Sequence, residues 1–185
     1  MNNQKNRYMN MESLIESMKQ IDSQYKKVNK SLQIIFVIFI FFYAGLFLIN
    51  PDSELTVNHR IAGGCYVVAF SLFALVFRKN YRTYNAVNYS DPVKKVLEDA
   101  EKRYRFWHKD TLLTIMGIVF IDVATCLFVI PRFIDRWEFW NVFIIVQLVL
   151  ITAIGIGFTI GYVKWTKKFK PLWFTSKELL KELEE

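Results

Sequence analysis

The sequence has few of the residues that most often form cross-links or bind metals. It contains two cysteines and two histidines in 185 residues. A disulfide framework needs more cysteines, and Cys65 and Cys126 both lie in apolar stretches, where we expect them to pack as small buried side chains. Neither histidine lies at the spacing from them that a metal site requires. We therefore predict no disulfide framework, no metal centre and no cofactor.

Glycine and proline are also scarce, at seven and four residues. The sequence has no phosphate-binding glycine loop and no nucleophile elbow, which are local motifs of many nucleotide-binding and hydrolytic enzymes. It therefore predicts no catalytic residue. The first thirty residues are polar and charged, so the first apolar stretch does not resemble the hydrophobic region of a cleaved signal peptide. We expect that stretch to stay in the protein as an anchor.

Charge is almost absent from four long stretches of the chain. These stretches are Ser31–Pro51, Ile61–Phe77, Phe139–Val163 and Thr111–Pro131, the last with Asp122 as its one charge. As α-helices they rise by roughly 26–38 Å, which matches a hydrocarbon core of about 30 Å. Buried helices of this length are rare in soluble proteins, and the remaining chain is too short to cover four of them.

The predicted fold class is therefore all-α. We expect a polytopic membrane protein with four transmembrane helices in an up-down-up-down bundle and helical extensions on the cytoplasmic side. The expected domains are a cytoplasmic heptad helix at 1–30, a membrane domain at 31–163 and a cytoplasmic tail at 164–185. The expected spans are 31–50, 61–78, 111–130 and 139–163, with an amphipathic cytoplasmic helix at 92–108.

Lysine and arginine are distributed unevenly between the segments that the spans separate. Residues 1–30, the 78–110 loop and the tail from Lys164 carry 21 of them, against three in the 50–60 and 131–138 loops. The positive-inside rule places the rich segments, and both termini, in the cytoplasm. The net charge of +7 then reflects topology, and we expect the bilayer and its anionic lipids as partners rather than nucleic acid.

The N-terminal segment carries a heptad pattern. Its apolar positions are Met11, Leu14, Met18, Ile21, Tyr25, Val28 and Leu32. This seam predicts a long helix leading into the first span. It packs either against another part of the same chain or against a second copy as a coiled coil, and the sequence leaves both open.

A second cytoplasmic helix is predicted from Asp91 as its cap and Pro92 in its first turn. The apolar stripe of this 92–108 helix either lies on the inner leaflet or packs on the N-terminal seam. The tail is expected to end in a short helix that begins after Ser176 and covers Lys177–Glu185. Pro51 and Pro131 are expected to end the first and third spans.

Asp122 is the most informative single residue, because a carboxylate within a span is unfavourable unless it is paired or faces water. Tyr43, Tyr66 and Gln147 fall near the same depth of their spans. We therefore predict an intramembrane polar cluster of these four residues. It serves either as a proton or cation site or as a hydrogen-bonded carboxyl that fixes helix packing.

The fourth span has small residues at four-residue intervals, at Ala153, Gly157 and Gly161. This spacing lets helix backbones approach closely. It predicts a helix-packing face, used either inside the bundle or between two copies.

Arg103 and His108 fall within the Arg-x4–6-His pattern of the HEPN ribonuclease class. In that class an arginine and a histidine act together on RNA phosphates, usually across a dimer. The similarity implies an RNA site at these two residues, although Arg103 also fits the topology of a basic cytoplasmic loop.

Four short stretches carry a resemblance to known proteins, at Asn50–Asp52, His59–Gly63, Arg78–Tyr81 and Arg103–Trp107. Through them the chain resembles small four-span membrane proteins of unknown function from Bacteroidota-type bacteria. The resemblance covers most of the chain and implies a bacterial inner membrane but no activity. In size and span count the chain is also similar to membrane accessory proteins of RNA-guided defence systems.

Three classes of function follow. The first is a non-enzymatic, oligomeric membrane scaffold or regulator that presents its basic cytoplasmic face to a protein partner or anionic lipid. The second is a small ion channel or transporter that uses the cluster around Asp122. The third is an enzyme acting on lipid or RNA at the cytoplasmic face, including the defence-system accessory with Arg103 and His108.

Overall fold

The computed structural model describes residues 2–52, 55–107 and 110–184. Every regular element in these ranges is a helix, so the all-α prediction is confirmed. The α-helices are α1 (Asn2–Tyr43), α2 (Val57–Asn85), α3 (Val93–Tyr104), α4 (Thr111–Phe133), α5 (Phe139–Lys164) and α6 (Lys170–Glu184). Two π-helical turns, π1 (Ala44–Ile49) and π2 (Trp165–Phe169), extend α1 and join α5 to α6.

Four of the helical stretches are long and apolar enough to cross a membrane, as the sequence predicts. They are Met11–Ile49, Val57–Asn85, Thr111–Phe133 and Phe139–Leu183. Each helical stretch is longer than its predicted span, because the helical backbone continues beyond the apolar residues at one or both ends. The chain is therefore a membrane-type helical protein.

The chain divides into two compact units. The first, which we call the basic unit, draws on residues 1–29, 79–108 and 160–185, and the second, the membrane unit, on 30–78 and 109–159. The segments of the basic unit carry 18 Lys and Arg against 11 Asp and Glu, whereas those of the membrane unit carry six of each. The whole net charge of +7 therefore belongs to the basic unit.

In the membrane unit, α1 and α2 pack antiparallel through aromatic rings. Phe36 stacks on Phe77 with centroids 5.4 Å apart, and Tyr43 meets Tyr66 at 4.9 Å. Residues later in α1 thus contact residues earlier in α2. At the end of this interface Gly63 lies directly against Phe47, leaving no space for a Cβ atom, so glycine is required there by close packing.

The same antiparallel order continues through α4 and α5. A Cβ atom on Gly117 would lie 2.8 Å from the Phe73 ring, so α4 approaches α2 closely at this point. At the other end of α4, Ile130 forms a small core with Val142 and Val146 of α5. The order α1–α2–α4–α5, with each neighbour reversed, matches the predicted four-helix membrane bundle.

The basic unit has a hydrophobic core of its own. The buried residues of this core are Leu14, Met18, Leu97, Ala100, Tyr104, Phe169, Leu172 and Leu180. They come from α1, α3, π2 and α6, so the heptad seam packs within the same chain. The apolar stripe of α3 is buried in this core as well, which places it against the seam rather than on a lipid leaflet.

Two predicted features of the α3 region are wrong. Asp91 does not cap the helix, because its carboxylate accepts a hydrogen bond from Asn88 at 2.8 Å and pairs with Lys95 at 2.7 Å. The helix also ends at Tyr104 rather than at residue 108, and Arg105 is extended. The Tyr104 carbonyl accepts a hydrogen bond from the indole Nε1 of Trp165 at 2.9 Å, a tertiary contact at the point where α3 stops.

The other corrections concern helix ends. The terminal helix does not begin after Ser176. It begins at Lys170, and the buried Ser176 hydroxyl donates to the carbonyl of Leu172 within it at 2.6 Å. Pro131 does not end the third span, since α4 continues to Phe133. A proline in the last turn of a helix removes few backbone bonds, which explains why α4 tolerates it.

Candidate functional site

The predicted carboxyl site joins α4 to α5. Gln147 donates from Nε2 to Oδ1 of Asp122 at 2.7 Å. The Cys126 thiol lies 3.7 Å from the same oxygen and 3.5 Å from the Gln147 amide nitrogen. We call Asp122, Cys126 and Gln147 the Asp122 cluster.

The two predicted tyrosines form a separate pair beside it. The Tyr43 and Tyr66 rings meet, and the Tyr66 hydroxyl lies 3.0 Å from Oγ1 of Thr125. Thr125 donates its own proton to the Ile121 carbonyl at 2.7 Å, so Tyr66 is the donor in the bond to Thr125. The structure thus pairs Asp122 with Gln147 and Tyr43 with Tyr66.

Two residues that the sequence did not predict bond to these groups, namely Cys126 beside Asp122 and Thr125 beside Tyr66. Both are common within membrane helices, and neither has a pattern that marks it as functional. Their positions three and four residues after Asp122 place them on the same face of α4, which is the one available signal. The carboxyl bonds a neutral amide between neighbouring helices, an arrangement that suits a helix-packing role.

The small-residue face of α5 is not used inside the membrane unit. Ala153 and Gly157 are exposed, as are all nine residues from Ile151 to Thr159. Gly161 is also exposed, and a Cβ atom on either glycine would meet nothing within 4 Å in the described structure. Packing within the bundle is therefore not observed at these residues, and the face between two copies stays a prediction.

A second cluster lies in the core of the basic unit. Oδ2 of Asp22 lies 3.0 Å from a terminal nitrogen of Arg103, with only 4% and 5% of the two side chains exposed. The Tyr89 hydroxyl donates to Oδ2 of Asp22 at 2.6 Å, and the Tyr104 hydroxyl donates to Oδ1 at 2.7 Å. We call these four residues the Asp22 cluster.

The four residues of the Asp22 cluster come from three places in the chain. Asp22 follows the buried Met18 by four residues and so shares the packed face of α1. Tyr89 lies in the connection before α3, where Asn88 and Asp91 are hydrogen-bonded to each other. Arg103 and Tyr104 occupy the last turn of α3. The cluster therefore ties three separate segments of the sequence together.

The charges of Asp22 and Arg103 offset each other within the cluster, although Nε of Arg103 has no hydrogen-bond partner in the described structure. Burial raises the pKa of the Tyr104 hydroxyl above its ordinary value, and the Asp22 carboxylate adds to this effect. Burial and the hydrogen bond to Asp22 do the same to the pKa of Tyr89. Burial acts to lower the pKa of the Arg103 guanidinium, but Asp22 and the two tyrosines together raise it. The tyrosines are thus neutral donors and Arg103 is a permanent cation.

No pattern in the sequence distinguishes Asp22 or Tyr89 as a site residue. A carboxylate beside a heptad seam is usually solvated, and here the signal was only its position one turn after Met18. For Arg103 the sequence pattern predicts a different role, as half of an RNA site with His108. Its guanidinium is buried against Asp22 and does not face solvent, where an RNA phosphate would bind. His108 lies outside the described residues.

No family model, curated protein or solved structure matches this chain. Its function is therefore inferred from the residues and contacts described above.

Proposed function

We propose that this chain is a non-enzymatic scaffold or regulator in a bacterial inner membrane, with both termini and the 78–110 loop in the cytoplasm. Four helices anchor it in the bilayer, and its basic unit acts as a docking module for a protein partner or anionic lipid. The observation that carries this proposal is that three separate polar segments fold around one hydrophobic core, beside which an ion pair between two of these segments is buried.

The charge distribution supports a docking role. Topology alone requires lysine and arginine near the cytoplasmic ends of the spans, but it does not require those segments to fold together. Here they share a core of eight buried residues and carry the whole net charge of +7. A rigid basic surface binds an acidic partner with less loss of conformational entropy than three mobile segments would.

The buried cluster supports a structural rather than a catalytic role for its charges. Asp22 is bonded by two tyrosine hydroxyls and paired with Arg103, and both charged side chains are almost fully buried. A catalytic acid or base must reach its substrate directly or through one water. The cluster instead places its charges where they hold α1 and α3 together.

The contacts of Asp122 favour a packing role over an ion channel or transporter. The carboxyl oxygen that accepts from Gln147 is engaged with the neighbouring helix. An ion pathway usually brings several ionisable side chains together in a membrane. Ion flux through liposomes containing the purified chain provides the direct comparison between these two functions.

The topology can be tested by cysteine labelling in cells. In a variant with Cys65 and Cys126 replaced by alanine, we introduce Ser90→Cys in the basic unit or Asp135→Cys in the predicted outer loop. A membrane-impermeant maleimide should label Asp135→Cys in intact cells and Ser90→Cys only after permeabilisation. Labelling of Ser90→Cys in intact cells would contradict the proposed orientation.

The docking role can be tested by photo-cross-linking in the same cells. A photoreactive amino acid at Lys102, exposed on α3, should give discrete cross-linked products. The same residue at Ile144, exposed on the membrane unit, is the matched control and should give only lipid adducts. The Lys102 products should disappear in Asp22→Ala, which removes the ion pair. Equal products from both positions would contradict a docking surface on the basic unit.

A further inference from the structure

Two groups of lysines in the basic unit have different surroundings. In α3, Lys94, Lys95 and Lys102 alternate with acidic residues, and Lys95 is paired with Asp91. The second group comprises Lys164, Lys167, Lys168, Lys170 and Lys177, and we call residues 164–177 the lysine segment. It contains five lysines and no acidic residue. These fourteen residues therefore have a local charge of +5, although four glutamates follow them in the last eight residues of the chain.

The structure holds the lysine segment as a rigid helix with its charges outward. Phe169 and Leu172 are buried in the core of the basic unit, which fixes one side of π2 and α6. All five lysines are exposed. Lys168 contacts only the neutral Gln24 side chain, at 3.5 Å, and Lys177 lies 5.4 Å from the centre of the Trp173 ring. No acidic side chain is thus bonded to these two lysines in the described structure.

An exposed aromatic residue shares this outward face. Phe174 follows Lys170 by four residues, so the two lie on one side of α6. Its side chain is 54% exposed, although it is large and apolar. Lysines around an exposed aromatic side chain are typical of helices that contact the interface of an anionic membrane.

The lysine segment begins at the cytoplasmic end of the predicted fourth span. Lys164 comes directly after the 25 uncharged residues Phe139–Val163. A basic cluster directly at the cytoplasmic end of a span meets the phosphate groups of anionic lipids. Trp165 and Trp173 in the same segment are residues that membrane proteins concentrate at this level.

From these observations we infer that the lysine segment is a binding surface for anionic phospholipid headgroups. This inference rests on the proposed function and specifies the partner of the basic unit. The lysine ammonium groups pair with the lipid phosphates. The α3 lysines do not share this role, because acidic neighbours offset their charge.

Native mass spectrometry of the purified full chain tests the inference. The protein in a mild detergent is incubated with equal amounts of phosphatidylglycerol and phosphatidylethanolamine, and the ratio of the two retained lipids is measured. We expect the wild-type chain to retain phosphatidylglycerol in roughly tenfold excess or more. The triple variant Lys164→Gln, Lys167→Gln and Lys170→Gln should lower this ratio to near one.

A matched control removes the same charge from α3. The triple variant Lys94→Gln, Lys95→Gln and Lys102→Gln should keep the wild-type lipid ratio, and circular dichroism should show equal helix content in all three proteins. An unchanged ratio in the lysine-segment variant would overturn the inference. An equal loss in the α3 variant would also overturn it, because the effect would then follow net charge rather than this surface.

The two proposals fail in different ways. If the wild-type chain shows no lipid preference but Lys102 still gives discrete cross-links in cells, the lipid surface is refuted and the scaffold remains. If the lysine-segment variant loses a protein cross-link while its lipid ratio is unchanged, the segment binds a protein and the inference is overturned. Loss of the Lys102 products would count against the scaffold alone.

Discussion

At the scale of single residues, the buried pair of Asp22 and Arg103 carries the largest energetic consequence. Removing one partner of a buried ion pair leaves the other charge without compensation, which typically costs about 3–5 kcal/mol. We expect Asp22→Ala to destabilise the basic unit by this amount. The double variant Asp22→Leu with Arg103→Met should recover part of the loss, because it leaves no unpaired charge but still removes the acceptor of the Tyr89 and Tyr104 hydroxyls.

Thermal unfolding in detergent measures both variants, followed by the fluorescence of Trp165 and Trp173 in chains whose other three tryptophans are replaced by phenylalanine. Both tryptophans belong to the basic unit and pack against its core. Exposed ion pairs contribute up to about 1 kcal/mol. A smaller loss of unfolding free energy than this in Asp22→Ala would show that the pair does not hold the basic unit together.

The hydroxyls of Tyr89 and Tyr104 predict a dependence on alkaline pH. An unfolded tyrosine ionises near its ordinary pKa of 10.0, whereas burial and Asp22 hold both native pKa values higher. The unfolded state therefore loses protons that the folded state keeps. Their contribution to stability is complete below pH 10 and falls by about 1.4 kcal/mol per tyrosine for each further pH unit.

Unfolding midpoints measured from about pH 8 to about pH 11 test how steeply stability falls with pH. Tyr104→Phe should be shallower than the wild-type chain above pH 10, because one of the buried tyrosines, which also include Tyr84, no longer ionises on unfolding. Tyr81→Phe, outside the Asp22 cluster, serves as a comparison and should change the slope less than Tyr104→Phe does. Identical slopes for the wild-type chain and Tyr104→Phe would contradict the assignment.

For Asp122 the expected effects separate packing from transport. Asp122→Asn keeps a carbonyl oxygen that can accept from Gln147, so stability should change little. Asp122→Ala removes the acceptor, and interhelical hydrogen bonds in membranes contribute about 0.6 kcal/mol on average and at most about 1.7. Thermal unfolding should follow this order, with ion flux unchanged. A flux that is present in the wild-type chain and absent in Asp122→Asn would instead identify an ion site.

At the scale of helices, the sequence predicted the spans well and the helix ends poorly. Long uncharged stretches specify a membrane helix by hydrophobicity alone, so all four were found. The end of α3 depends on the bond between the Tyr104 carbonyl and the Trp165 indole, whose partners are 61 residues apart. Local periodicity contains no information about such a contact, and the predicted helix therefore ran on to residue 108.

The same reasoning explains which site residues were found. Asp122 was identified because any charge within an apolar stretch is conspicuous, and its partner Gln147 followed from depth. Asp22 lies among other charged residues, and only its tertiary contacts with Tyr89, Arg103 and Tyr104 distinguish it. Charges in polar segments become informative only when the packing of those segments is known.

The indole of Trp165 gives a test at the scale of helices. Trp165→Phe keeps an aromatic ring but removes the N–H that bonds the Tyr104 carbonyl, which should weaken α3 packing by about 1 kcal/mol. Trp173→Phe is the matched control, since the Trp173 indole nitrogen has no hydrogen-bond partner in the described structure. Amide exchange of Val93–Tyr104 should accelerate in Trp165→Phe and less in Trp173→Phe. Equal acceleration would mean that the hydrogen bond does not stabilise α3.

At the scale of the whole molecule, hydrophobicity and charge are divided between two units of one chain. The membrane unit has equal numbers of acidic and basic residues, and the basic unit carries the net charge. The basic unit is discontinuous in sequence, since each of its three parts is separated from the next by a pair of spans. Its existence depends on long-range contacts, which is why the sequence predicted its helices but left their packing open.

Hydrogen–deuterium exchange of the full chain in lipid nanodiscs tests most directly whether the basic unit is one folded body. We expect slow amide exchange in both α3 and α6 of the wild-type chain. In Asp22→Ala, exchange should accelerate together in the N-terminal part of α1, in α3 and in α6, because the ion pair joins α1 to α3 and all three helices share one core. Fast exchange of α3 in the wild-type chain, or acceleration confined to the neighbourhood of residue 22, would contradict a cooperative docking module.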